Sequence, residues 1–134
     1  MSFKIRKISL GLTILLSLLF LSACSRIQPI ENVNGQKVPS GLSAKQVSSA
    51  IFQACNYREW NCSEISSNEI KASYTSHGHT AVVSVKYNAD MYSINYVSSE
   101  NLMEQNGKIN RNYNRWVNNL NHDIQSYLSK ELAK

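Results

Sequence analysis

His77 and His79 stand two residues apart in an alternating stretch, so on a strand their imidazoles would point to the same side, as a metal pair requires. A zinc site still needs a third and usually a fourth ligand. His122 and Asp123 lie in a distant segment whose spacing does not force them near. The plainer reading is a hairpin end with two exposed or hydrogen-bonded imidazoles, and neither a metal nor a cofactor is expected. Cys55 or Cys62 with one of these histidines would supply a nucleophile and a base, but nucleophilic catalysis also needs an orienting group. The chain shows no nucleophile elbow, no glycine-rich phosphate loop and no recognisable pair of carboxylates. An enzyme is not expected.

Two compositional features bear on binding instead. Asn110, Asn112, Asn114, Asn118, Asn119 and Asn121 crowd one segment together with Arg111 and Arg115. Asparagine is a poor helix former, so the local reading is a cap followed by a solvated face. The functional reading is a polar contact surface for a glycan or a protein, centred on Asn114, Arg115 and Asn118. Trp60, Tyr87, Tyr92, Tyr96, Tyr113 and Trp116 form an aromatic-rich set that either fills a small core or lines a groove between sheet and helix.

The N-terminus carries a different chemistry. Lys4, Arg6 and Lys7 precede an apolar run from Ile8 to Leu21, which closes on Leu21-Ser22-Ala23-Cys24. A basic start, a short apolar core and small residues before a cut mark an export signal. The run is shorter than the roughly 20 residues that span a bilayer. Its last four residues resemble the bacterial lipobox. The resemblance implies that the Cys24 thiol takes a diacylglyceryl group, that residues 1–23 are removed, and that the new amine is acylated. The anchor makes the membrane a partner, and Ser25, where an aspartate would favour inner-membrane retention, points to the outer membrane. Removing Lys4, Arg6 and Lys7 leaves 11 of the 14 basic residues against 9 acidic ones, which takes away most of the case for a nucleic-acid partner. In an exported protein Cys55 and Cys62 are expected to close a disulfide; the alternative is two separate thiols, one of them buried.

The elements that position these residues follow from periodicity. Residues 24–42 read as the lipidated cysteine and a flexible tether, with Pro29, Gly35, Pro39 and Gly41 and no apolar period. As a coil, residues 25–41 would span about 20–25 Å. A single domain follows over residues 43–134. Ser43 and Gln46 fit a capping box, Leu42 and Val47 a hydrophobic staple, and Val47, Ala50, Ile51 and Ala54 one apolar helical face. Alternation predicts three strands, carrying Ile70, Ala72 and Tyr74, then Ala81, Val83, Val85 and Tyr87, then Tyr92, Ile94 and Tyr96. Short connections make them an antiparallel meander. A polar crossing loop over 98–110 leads to a last helix, whose Trp116, Val117, Leu120 and Ile124 should pack on the sheet. The predicted fold is thus α+β, two-layer, helix, three-stranded antiparallel meander, helix.

The element order resembles that of a family of small Gram-negative bacterial lipoproteins. So do the segments His77-Gly-His79-Thr-Ala-Val, Tyr92-Ser-Ile-Asn-Tyr96-Val-Ser-Ser and Ile109-Asn-Arg-Asn-Tyr-Asn-Arg-Trp-Val-Asn-Asn-Leu120. The likeness covers most of residues 43–132. Such proteins often carry glycine in an Arg-Gly-Trp turn, where this chain has Glu59, and histidine where it has Asn110. The resemblance implies lipid anchoring and an envelope location, and it implies no activity. The expected role is a non-enzymatic interaction or structural module, or a binding domain for a small ligand or glycan. A binding module should bring Tyr or Trp together with Asn and Arg in a concave patch. An enzyme should place a histidine within reach of Cys or Ser in a cleft.

Overall fold

The computed structural model describes residues 26–134. The signal segment, Cys24 and Ser25 lie outside the described residues. Seven strands and two helices run β1 (Ile27–Pro29), β2 (Val33–Lys37), α1 (Ala44–Tyr57), β3 (Asn61–Ser66), β4 (Glu69–Ser76), β5 (His79–Tyr87), β6 (Met91–Glu100), β7 (Lys108–Asn110) and α2 (Arg111–Leu132). No described helix is long and apolar enough to cross a membrane.

This corrects the three-stranded meander. The sheet has five strands in the order β2-β6-β5-β4-β3, every neighbour antiparallel, and β1 and β7 form a separate two-stranded ladder. The alternating strands β4, β5 and β6 are its middle. The two added edges carry almost no apolar period: β2 reads Val-Asn-Gly-Gln-Lys, β3 Asn-Cys-Ser-Glu-Ile-Ser. An edge strand is held by backbone pairing on one side only. Most of the segment expected as a tether is therefore ordered. Val33 pairs with Ile94 and Gln36 with Tyr92, and the extra residue in β2 forms a bulge where Gly35 takes φ +58°.

One sheet face is buried. The rows Ala72-Val83-Tyr96 and Ile70-Val85-Ile94-Val33 run across it in register, and α1 and α2 close over it with Val47, Ile51, Val117, Leu120 and Ile124. The other face carries Lys71, Lys86, Ser93 and Asn95. Tyr113 meets Tyr96 edge to face at 5.4 Å and Trp116 meets Tyr74 at 4.9 Å, so α2 lies on the sheet. The Tyr92 hydroxyl donates to Asn121 Oδ1. Burial pushes that phenol up to about 12.

The helix ends show how local sequence sets the fold. Ser43 Oγ accepts from Gln46 N at 3.2 Å while Ser43 N donates to Gln46 Oε1 at 2.8 Å, completing the capping box. At the other end of α1, Trp60 N donates to the Cys55 carbonyl at 2.8 Å and Glu59 N to that of Asn56 at 3.4 Å. This is a Schellman closure, whose left-handed position normally takes glycine. Here Glu59 holds it at φ 64°. Glu59→Gly is therefore expected to raise stability by about 1 kcal/mol, read as a higher urea midpoint. A lower midpoint would mean that Glu59 makes contacts outweighing its backbone strain.

Cys55 and Cys62 are bonded, S–S 2.09 Å, with Cα atoms 6.3 Å apart. The bond ties the end of α1 to β3. Closing so short a loop contributes about 2.5 kcal/mol by chain entropy. Reduction, or Cys62→Ser, should lower unfolding stability by that order, and identical denaturation curves with and without reductant would show that the bond contributes nothing.

Candidate functional site

The turn after α1 and the middle of α2 enclose a cleft of about 420 Å³. Its apolar side is built from three elements. Trp60 follows the Schellman turn, Tyr74 comes from β4, and Trp116 from α2. Their rings form a continuous series, Trp60 to Tyr74 at 5.3 Å and Tyr74 to Trp116 at 4.9 Å. Tyr57, 63% exposed, stands at the rim. Arg58, Glu59, Arg115 and Asn119 supply the polar side.

Arg58 is held in place. Its Nε donates to Asp123 Oδ2 at 2.5 Å and its Nη2 to Oδ1 at 3.3 Å. Asp123 is buried on α2, so the fork both ties α1 to α2 and fixes the guanidinium at the cleft. Glu131, the break in the helix's apolar pattern, ends α2 in the same manner. Its carboxylate accepts from Lys134 Nζ at 2.6 Å and from Gln53 Nε2 at 2.9 Å, and these bonds hold it below the usual carboxylate range.

A second hollow of about 420 Å³ adjoins the first. Gln28, Glu31, Arg111, Asn112, Asn114 and Asn118 line it, and Arg115 and Asn119 belong to both hollows. These two residues are one helical turn apart, so they form a ridge with an aromatic hollow on one side and an amide-rich hollow on the other.

Asn114, Arg115 and Asn118 are thus brought to one hollow, but not in equal roles. Arg115 and Asn118 are exposed. Asn114 is 3% exposed, against the solvated face expected for it. Its Oδ1 accepts from Glu31 N at 3.1 Å, and its Nδ2 donates to the Pro29 carbonyl at 3.0 Å and to Gln28 Oε1 at 3.2 Å. It clasps the β1–β2 connection onto α2. Of the aromatic set, Trp60 and Trp116 reach the cleft, while Tyr87, Tyr92 and Tyr113 are buried in the core. Tyr57 and Tyr74 complete it from outside that set. Tyr57 carried a signal in the sequence, as an aromatic at the C-terminus of α1 beside Arg58.

The histidine pair is arranged differently from the expectation. His77 is not on a strand: with Gly78 it makes the two-residue turn between β4 and β5, both at positive φ. The His79 ring bonds the Asn101 carbonyl through Nδ1 at 2.5 Å, and Asn101 donates back to the Gly78 carbonyl at 2.8 Å. Among the described residues no three His, Cys, Asp or Glu side chains gather as metal ligands. No protein-family model and no curated protein matches the chain.

Proposed function

We propose that this chain is a lipid-anchored module of the bacterial envelope, held at the outer membrane through Cys24, that binds an acidic glycan in the cleft between α1 and α2 without chemical turnover. The supporting observation is the series Trp60-Tyr74-Trp116 beside Arg58, Arg115 and Asn119. Sugar rings present C–H faces that pack on aromatic rings. Their hydroxyl and amide groups need side chains such as Asn119 and Asn118, and carboxylates suit the fork of an arginine. An amino-sugar polymer bearing carboxylates, as in the bacterial cell wall, combines all three. The export signal and lipobox-like end support the envelope address.

Calorimetric titration with soluble peptidoglycan fragments tests the reading. Arg115 is exposed, so Arg115→Ala should leave the fold intact. It should weaken binding about tenfold or more, matching the roughly 1.5–3 kcal/mol of a hydrogen bond to a charged group. Neutral chitin oligosaccharides should bind more weakly and be indifferent to that substitution. Equal affinity of parent and Arg115→Ala for the acidic fragments, or no binding at all, would contradict the proposal.

A further inference from the structure

Resting on the lipidation of Cys24, we infer that the β1–β7 end of the domain lies directly on the bilayer surface, with Met103 directed into the headgroup layer. Arg26, close to the anchor in sequence, is already tied into the domain. The carbonyl of Arg26 accepts from Arg111 N at 2.8 Å, and Ile27, Gln28 and Pro29 pair with Asn110, Ile109 and Lys108. One residue, Ser25, separates Arg26 from Cys24, and an extended chain covers at most about 7 Å over those two steps. A helix is about 10–12 Å across with its side chains. No partner element fits between this end of the domain and the lipid, so the bilayer itself is the surface it faces.

The residues at this end suit that position. Met103 is 59% exposed and takes φ 55°, a backbone conformation a long side chain rarely adopts, on a loop in which Asn101, Asn106 and Gly107 also have positive φ. With Ile27 and Lys108 it borders a shallow hollow. Arg26, Lys108 and Arg111 are exposed at this β1–β7 end of the domain, against Glu104 beside Met103. Long basic side chains lay their stems along an apolar surface and reach the headgroups with their charge. α2 starts at this end and runs about 33 Å away from Arg111.

The test uses the lipidated protein in vesicles of phosphatidylethanolamine and phosphatidylglycerol. With Cys24 in thioether linkage and Cys55 bonded to Cys62, Met103→Cys gives a single free thiol for a fluorophore; Lys108→Cys is a second position at the same end, and Leu132→Cys a control at the far end of α2. Quenchers carried on the lipid headgroups should remove most of the emission from positions 103 and 108 and little from 132. Equal quenching at 103 and 132, or none at 103 and 108 in protein whose Cys24 peptide carries lipid by mass, overturns the orientation while leaving lipidation standing. Protection of 103 in whole envelopes but not in vesicles overturns it in favour of a protein partner. A Cys24 peptide without lipid overturns both.

Discussion

Trp116→Ala should lower the stability of the domain by about 3–5 kcal/mol, the usual result of truncating a buried aromatic. The residue is 9% exposed and packs edge to face on Tyr74 at 4.9 Å, joining α2 to β4. A small domain has only about 5–15 kcal/mol in total, so the melting temperature should fall sharply. Because Trp116 also walls the cleft, a second variant separates packing from binding. Leu120→Ala, fully buried one turn further along α2, should cost about 2–5 kcal/mol without removing a cleft residue. Asn118→Ala, exposed, should change stability by less than about 0.5 kcal/mol. Chemical denaturation of the three variants checks this. A Trp116→Ala protein that melts like the parent would contradict the packing of α2 on the sheet.

Cys24→Ala should abolish membrane attachment through lipid. Each buried methylene contributes about 0.8 kcal/mol, so one chain holds marginally while two or three hold durably. Without the thiol no diacylglyceryl group is added, and the protein should appear either free of the membrane or as uncleaved precursor. Fractionation and intact mass distinguish these forms from the parent. A Cys24→Ala protein still cleaved and still carrying lipid would contradict the assignment of the anchor.

Elements with a local signature are legible in the sequence. The capping box of Ser43 and Gln46, the alternation of β4 to β6 and the apolar stripe of α2 all write their period into consecutive residues. The edge strands were not legible, for the same reason turned around. β2 pairs with β6 some 60 residues away, and its Val-Asn-Gly-Gln-Lys offers neither alternation nor β-branched content beyond Val33. Pro29 and Gly35 looked like linker composition, yet one ends a strand and the other makes a bulge. The cleft was half legible. Trp60, Trp116 and Arg115 stood out by type, but their juxtaposition with Tyr57 and Tyr74 depends on tertiary packing. Asn114 shows the converse. Its composition suggested a solvated face, whereas its amide is occupied by the backbone of a segment more than 80 residues earlier.

Both tryptophans of the chain, Trp60 and Trp116, line the same cleft, so intrinsic tryptophan emission reports on that site alone. Titrating the mature protein with soluble peptidoglycan fragments should give a saturable change in the intensity and position of this emission, and Arg115→Ala should move its midpoint to higher ligand concentration. Emission that stays unchanged while the fragments bind by calorimetry would put the ligand elsewhere on the molecule, and emission unchanged with no binding of any envelope glycan would contradict the proposed function itself.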